Sequence, residues 1–402
     1  MKYFEFGQEH PELMVMLHGG GTIYCGMEPT AKEMAKTYHV VLVAYDGFNP
    51  NEPETEYKSP MDEAKRLGDY VVEHYSGRMD ILYGISYGCR VLMEVLGDER
   101  LTITTTIADG MPPTITLLAR GPWAEEILQN GLRIKNTLSC RTAVSRIPVA
   151  AELSQEDAYD VIFVAVRYTQ IGTIIETLRA SRAKTIIFVG NNVRASETAA
   201  LLPEKNVLFA FTSAAGHRES KYVDSVDLCK ITVGPLRDAP SQEELVQKIF
   251  SGTKYKVAYE PNMEDYLLCH AAFVLPAVFA CYKTDDNLKE LKKDNAYLNR
   301  LIDANIEGYR AIQNAGHEIR PDADKEFEGA AYRKTCFRFF KLMCATVLGK
   351  ICASDHAMNA VDEMSALNRD MKAFFDANGA EYPVWQALEA ECEDYLQGGE
   401  KP

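Results

Sequence analysis

Residues 110–121 read GMPPTITLLARG, and the character of the chain changes across them. The chain leaves a run of threonine and isoleucine, passes two consecutive prolines, and continues as a short apolar strand that ends at Arg120. Proline does not continue a helix or the middle of a sheet, so the pair marks a junction between two segments. The patterns on the two sides of this junction therefore decide the fold.

Downstream of the junction, short apolar strands alternate with helical stretches. TITLLARGPWAEEILQNGLRI (114–134) predicts a strand, an arginine, a helix and a further strand. YDVIFVAVRYTQIGTIIETL (159–178) predicts a buried strand and an amphipathic helix, and AKTIIFVGNN (183–192) predicts a strand that ends in a polar loop. This alternation indicates an α/β fold with a parallel sheet.

This succession resembles the ketopantoate reductase family, beginning at the second strand of its nucleotide-binding domain. The resemblance rests on the segments LLARG, NGLRI, FVAVRYTQ, FVGNN and AAGHRES, in this order and spacing. It implies that Arg120 binds the 2′-phosphate of NADP, because a guanidinium matches phosphate oxygens. It also implies that Arg167 stands where the family has a lysine beside the cofactor, and that Asn191 lies near the nicotinamide.

The family's first strand, its Gly-x-Gly-x-x-Gly turn and its first helix have no counterpart in the chain. Those parts hold the pyrophosphate on backbone N–H groups at a helix N-terminus. The segment HGGGT (18–22) is rich in glycine, but it lacks the dinucleotide spacing. We therefore expect NADP to bind weakly or not at all.

Upstream of the junction, four apolar runs alternate with helical stretches and predict one parallel sheet covered on both faces. GISYG (84–88) fits Gly-x-Ser-x-Gly between a strand and a helix, where the glycines allow a sharp turn that exposes the Ser86 hydroxyl. HGGGT follows an earlier strand and offers backbone N–H groups to an oxyanion. The runs are LMVMLHGGGT (13–22), HVVLVAYDGF (39–48), MDILYGISYGCR (79–90) and LTITTTIADG (101–110).

The two motifs in this order resemble the α/β-hydrolase family over residues 1–112. In that family an acid and a histidine follow the nucleophile in the chain. Asp109 is a candidate for the acid, but no histidine occurs between His74 and His217. Because a serine without a base is a poor nucleophile, Ser86 is either a catalytic serine or the remnant of one.

From about residue 256 the apolar residues repeat at helical spacing, and glycines mark the helix ends. The ketopantoate reductase resemblance likewise implies an all-helical C-terminal domain. It places Leu267 at the family's catalytic lysine, and leucine cannot donate the proton that a lysine donates. His270 is a candidate replacement, although it also fits an ordinary core residue. Glu363 corresponds to the family's substrate-side glutamate, although it also fits a solvated helix residue.

Composition restricts the partners. The formal net charge of −15 disfavours nucleic acid and anionic membranes, so we expect a small-molecule substrate and protein partners, a homodimer among them. The apolar stretch 266–282 is long enough to span a membrane, but its histidine, its proline and its charged flanks favour a buried helix. Ten cysteines without a CxxC pair or metal-ligand spacing favour reduced thiols in the cytoplasm and no metal site.

The sequence thus predicts an α/β parallel sheet followed by an all-α C-terminal domain, in three segments. These are a partial α/β-hydrolase-like segment (1–112), a partial Rossmann-type NADP-binding domain (113–255) and a helical domain (256–402). The leading hypothesis is an oxidoreductase, NADP-linked by ancestry, that acts on a small carbonyl compound or hydroxy acid, with its activity retained or lost. The alternatives are a serine hydrolase or esterase that uses Ser86, and a non-catalytic binding protein.

Overall fold

The computed structural model divides into two compact units, Met1–Thr114 and Ile115–Pro402. The last two residues of HGGGT and the junction MPPT lie outside the described residues. The structure describes residues 1–20, 23–52, 54–109, 115–137, 141–237, 240–251, 253–346 and 349–396.

The first unit is a sheet with helices on both faces. In its described residues the elements are β1 (Lys2–Phe6), β2 (Leu13–Leu17), α1 (Tyr24–Met34), β3 (His39–Ala44), α2 (Pro60–Tyr75), β4 (Arg78–Ile85), α3 (Gly88–Leu96) and β5 (Thr102–Asp109). The strand order is β1-β3-β2-β4-β5, and β2 to β5 are mutually parallel, as the apolar runs predict. The edge strand β1 pairs antiparallel with β3, which the sequence did not predict.

Burial of both faces explains why β2 and β3 are almost continuously apolar. Successive side chains of a strand point to opposite faces. Leu13, Val15 and Leu17 accordingly pack in one core with α2 and α3, whereas Met14 and Met16 pack in another with α1. A parallel sheet needs this double cover, because its crossover helices lie on its faces.

The second unit joins a mixed sheet to a group of helices. Its described strands are β6 (Leu117–Leu118), β7 (Leu132–Asn136), β8 (Arg141–Ser145), β9 (Val149–Ala150), β10 (Val161–Val164), β11 (Thr185–Val189), β12 (Asn206–Arg218), β13 (Val223–Gly234) and β14 (Lys256–Tyr259). Its described helices are α4 (Gly121–Asn130), α5 (Ile171–Ala180), α6 (Ala195–Ala200), α7 (Pro240–Phe250), α8 (Met263–Lys283), α9 (Asn295–Asn314), α10 (Ala330–Ala345), α11 (Asp355–Asn359), α12 (Val361–Ala377), α13 (Pro383–Ala390) and α14 (Glu393–Leu396).

The sheet of the second unit is mixed, so the prediction of a parallel sheet is corrected here. Strands β10, β11 and β12 are parallel, but β12 and β13 form a long antiparallel hairpin, and the order continues through β13 to β7 and β8. Only four residues connect β12 to β13, and a connection this short can join only antiparallel strands.

The strand that carries Arg120 at its end stands apart from this sheet. β6 pairs in parallel with β9 in a separate two-stranded sheet. In the doubly wound fold the first strand lies between the second and the fourth. Among the described residues, no strand lies between β6 and β10 to connect them.

Helix α8 forms the centre of the second unit. Its residues Met263 and Leu267 pack with the apolar residues of β10, β11 and β12, while Leu275 and Phe279 pack with α9, α12 and α13. By length and composition this helix could span a membrane, but 72% of its most apolar window is buried within the protein. It is therefore a core helix in this structure, as its sequence predicts.

Candidate functional site

In the second unit, the carboxyl end of β10 is bonded to the start of α12. Arg167, three residues past β10, donates from its guanidinium to Asp362 Oδ1 at 2.9 Å and to the carbonyl of Asn359 at 2.9 Å. Both partners lie at the junction of α11 and α12. Arg167 was predicted to lie beside a cofactor; in this structure it bonds to the protein itself.

Tyr168 makes a second connection between the same elements. Its backbone N–H donates to Glu363 Oε1 at 3.4 Å, and its hydroxyl donates to Asp370 Oδ2 at 2.7 Å. Burial, and secondly the Asp370 carboxylate, raise the pKa of the Tyr168 phenol. Glu363 is 6% exposed, so it is buried and not a solvated helix residue.

A cleft of about 340 Å³ opens beside Tyr168. We call it the sheet-edge cleft, because its lining comes from the segments after β10 and β11 and from one face of α12. This position outside the carboxyl ends of parallel strands is where ligands bind in open α/β sheets. Its lining residues are Tyr168, Thr169, Ile171, Gly172, Arg194, Glu197, Thr198, Leu201, Ala366, Arg369 and Asp370.

The loop after β11 contains an unsatisfied amide. Asn192 is engaged by the start of α6, since its side chain donates to Thr198 and accepts from the N–H of Arg194. The neighbouring Asn191 differs: its Oδ1 is buried and accepts no hydrogen bond among the described residues. Buried polar atoms are nearly always paired, so an unpaired oxygen at a strand end is a place where a ligand could bind.

The face of α8 that carries the family's proton donor is apolar here. Leu267, Ala271 and Leu275 are 2%, 1% and 0% exposed and belong to the hydrophobic cores. His270 does not line the sheet-edge cleft; it lies in a different cleft and packs against Phe211 at 3.9 Å between ring centroids. The position that the family resemblance assigns to the lysine is therefore held by a buried leucine, which donates no proton.

The predicted phosphate-binding arginine is exposed. Arg120 donates from Nε to the carbonyl of Ala151 at 2.7 Å, at the end of the β6–β9 pair. The sequence has no Gly-x-Gly-x-x-Gly turn to hold a pyrophosphate, and β6 is not part of the sheet that contains β10. The residues present therefore do not fit a dinucleotide held in the family's manner. The described residues also contain no cluster of His, Cys, Asp or Glu able to hold a metal ion.

In the first unit, Ser86 stands on a sharp turn between β4 and α3. Its φ of 50° lies in the left-handed region, which non-glycine residues seldom adopt. A Cβ on Gly88 would lie 2.4 Å from the carbonyl of Leu17, so only glycine fits at that position. A Cβ on Gly19 would lie 3.3 Å from Ser86 Cβ, which places the glycine loop after β2 directly beside the serine.

The loop after β2 begins with a histidine, His18, which is fully buried. Its Nδ1 lies 2.8 Å from the carbonyl of Gly19, and its Nε2 lies 3.4 Å from the N–H of Tyr45. Because backbone groups engage both ring nitrogens, His18 is not placed to act as a base for Ser86.

The middle of the chain matches a known family model. Residues 106–238 match the family model of ketopantoate reductase PanE/ApbA. The match covers the segments from the end of β5 to the end of β13 and includes Arg120, Arg167 and Asn191. No curated protein sequence matches the chain, and no comparison supports the α/β-hydrolase resemblance.

Solved structures of dehydrogenases share the fold. The 2-dehydropantoate 2-reductase of Geobacter metallireducens is 15% identical with a TM-score of 0.57, covering 69% of this chain and 91% of its own. A D-mandelate dehydrogenase, solved with NADH and anilino(oxo)acetate, is 12% identical with a TM-score of 0.54, covering 83% and 95%. A dimeric ketopantoate reductase of Staphylococcus aureus is 13% identical with a TM-score of 0.51, covering 71% and 100%.

At these identities the likeness shows the fold: a Rossmann-like dehydrogenase sheet followed by a helical domain. The catalytic roles of Glu363, Asn191 and His270 stay predictions. The sequence did not single out Asp362, Asp370, Arg194 and Arg369. Asp370 bonds to Tyr168, Asp362 bonds to Arg167, and Arg194 and Arg369 line the cleft. No local pattern marks these residues, because they come together only through contacts distant in the chain.

The protonation of His270 is a first testable property. Burial lowers its pKa to about 4, and the nearby His356 lowers it further. The unfolded chain binds a proton near pH 6.5 and the folded chain does not, so stability falls as pH drops from about 6.5 to 4, by on the order of 1 to 3 kcal/mol. Titration of the histidine ring signals by nuclear magnetic resonance, with His270→Gln to assign the signal, should give this low midpoint. A midpoint at or above that of an exposed histidine would contradict the burial argument.

Proposed function

We propose that the second unit binds a small carbonyl compound or hydroxy acid in the sheet-edge cleft, as an oxidoreductase-type relative of the ketopantoate reductases with little or no turnover. The observation that carries the proposal is Tyr168, whose ring lines the cleft while its N–H bonds to the buried Glu363. Glu363 lies one helical turn before Ala366 of the cleft lining, on the same face of α12.

The cleft lining has two basic and two acidic side chains, and one of the basic ones is available to an acid. Arg194 already pairs with Glu197, whereas the contact of Arg369 with Asp370 is long at 3.6 Å, so the Arg369 guanidinium can pair with a substrate carboxylate. The Glu363 carboxylate can accept a hydrogen bond from a hydroxyl. The Asn191 side chain offers an amide near the same strand ends. Low turnover is proposed because Leu267 stands at the proton donor's position and is buried in the core.

For the cofactor we propose weak binding of NADP, because Arg120 remains while the pyrophosphate turn is missing. For the assembly we propose a homodimer, in keeping with the dimeric ketopantoate reductase of similar fold. A purely non-catalytic binding protein would share this cleft and differ only in having no turnover at all.

A second function is proposed for the first unit, that of a slow acyl or ester hydrolase at Ser86. The favouring observation is the left-handed backbone of Ser86 at the end of β4, with Gly19 packed beside it. The N–H groups of Gly19, Gly20 and Tyr87 donate to no group among the described residues, so they are free to stabilise an oxyanion. The reaction is expected to be slow, because His18 is not placed as a base.

Calorimetric measurement of the binding of 2-dehydropantoate and of pantoate tests the leading proposal. Glu363→Gln should weaken binding about tenfold or more, since hydrogen bonds to charged groups contribute about 1.5 to 3 kcal/mol. Asp362→Asn is the matched control, because this neighbouring carboxylate is exposed and pairs with Arg167. Its effect should stay within about threefold, as for other exposed ion pairs. Equal losses in both variants, or no binding of either acid, would reject the proposed site.

Titration of the protein with NADPH, monitored by the fluorescence of NADPH, tests the cofactor proposal. We expect a dissociation constant well above the micromolar range, because no backbone N–H cradle holds the pyrophosphate. NADH serves as the control without a 2′-phosphate. Tight binding of NADPH over NADH that Arg120→Ala abolishes would show that another loop supplies the cradle.

Labelling with a fluorophosphonate probe tests the second function. We expect slow labelling that disappears in Ser86→Ala, since only an activated serine reacts. Ser76→Ala is the control, because Ser76 has a similar φ of 55° but caps the end of α2. Labelling that is absent, or that survives in Ser86→Ala, would remove the hydrolase from consideration.

A further inference from the structure

The helical part of the second unit contains another cleft, with a volume of about 230 Å³. It shares no lining residue with the sheet-edge cleft. We call it the aromatic cleft, because the helices α8, α9 and α10 contribute five aromatic side chains to its lining. These are Tyr266, Phe273, Tyr309, Tyr332 and Phe339.

A carboxylate without a cationic partner lies in the same lining. Asp324 belongs to the short turn that precedes α10, and its Oδ2 accepts a hydrogen bond from the Tyr309 hydroxyl at 3.0 Å. It forms no ion pair with any described residue. Burial raises its pKa, and the bond from Tyr309 opposes that shift. A cation placed in the cleft would offset the cost of this half-buried charge.

The arginine of the lining is already neutralised. Arg320 pairs with Glu318 at 2.8 Å, with Asp322 at 3.0 Å and with Glu260 at 3.7 Å. Asp322 also pairs with Lys325 at 3.0 Å, so three carboxylates meet two positive charges just outside the lining, and Asp324 adds a fourth carboxylate within it. Negative surroundings of this kind repel anionic ligands and attract cationic ones.

The histidine of the lining does not add positive charge. His270 packs against Phe211, and burial lowers its pKa to about 4. It is therefore neutral near pH 7 and presents an aromatic ring rather than a cation. The walls of the cleft are thus largely aromatic, with one carboxylate that has no cationic partner and with no unpaired positive charge among the described residues.

We propose that the aromatic cleft binds a small organic cation, of the quaternary ammonium or protonated amine class. The faces of aromatic rings attract cations, and this attraction grows where water is excluded. Asp324 provides the opposite charge at the wall. The volume of the cleft suits a small cation better than a nucleotide or a peptide, which need larger pockets.

One further polar atom refines the ligand class. Arg320 Nε is buried and donates to no group among the described residues, while its terminal nitrogens hold the three carboxylates. A hydroxyl on the ligand could accept from this N–H. Choline, which combines a quaternary ammonium with a hydroxyl, is therefore the probe.

Calorimetric titration of the full chain at pH 7.5 with choline tests the proposal, alongside its uncharged isostere 3,3-dimethyl-1-butanol. The two molecules have the same shape and differ in charge. We expect choline to bind about tenfold more tightly than the alcohol, as cation–π attraction and a carboxylate partner predict. Equal affinity, tighter binding of the alcohol, or no binding of choline would overturn the proposal.

Variants locate the binding. Asp324→Asn keeps the acceptor for Tyr309 and removes the charge, so choline affinity should fall about tenfold while that of the alcohol stays unchanged. Phe339→Leu removes a ring that is 42% exposed, so the fold should tolerate it and choline affinity should fall severalfold. Asp303→Asn is the matched control, because this carboxylate pairs with Arg333 outside the cleft lining. Loss of choline binding in Asp303→Asn equal to that in Asp324→Asn would reject the cleft as the site.

Discussion

Past its first turn, helix α8 is apolar around most of its circumference, and the second unit depends on that property. A surface helix has one apolar stripe, but α8 is covered by the sheet and by other helices, while the stripe of Tyr266, His270 and Phe273 lines the aromatic cleft. Leu267 meets the sheet, while Leu275 and Phe279 meet the other helices. Helices α8 and α9 approach closely at Gly308 of α9, where a Cβ would lie 2.9 Å from the Cβ of Ala272 on α8. Helix α8 therefore contributes to the core of the sheet and to the core of the helices, and so joins the two.

This packing explains why the chain can resemble an enzyme family in fold and differ from it in chemistry. The resemblance to the ketopantoate reductases implies a catalytic lysine on one face of α8, and such a face must stay open to a substrate. Leu267 holds that position by the resemblance, and it is buried together with Ala271 and Leu275. Such a replacement stabilises the joint between sheet and helices by burying apolar area, at roughly 25 cal/mol per Å². It also removes the hydrogen-bonding groups that would act on a carbonyl.

The sequence was a good guide where one physical signal dominates. The buried strands β2 to β5 follow their apolar runs, and the glycines at 316 and 379 lie just past helix ends with φ of 89° and 63°. It was a poor guide where a half-exposed element is defined by its partner, as in the edge strand β1 and the hairpin of β12 and β13. The contacts of Tyr168 with Glu363 and Asp370 could not be predicted, because about two hundred residues separate the partners.

The outer edge of β10 is exposed. Among the described residues this edge has no partner strand, and Phe163 on it is 47% exposed. Exposed strand edges invite pairing with other chains, which leads to aggregation. Two features restrain it here: β10 has only four residues, and Asp160 and Arg167 place charges on either side of the strand. Pairing of this edge with other chains is therefore limited both by the length of β10 and by the charges that flank it.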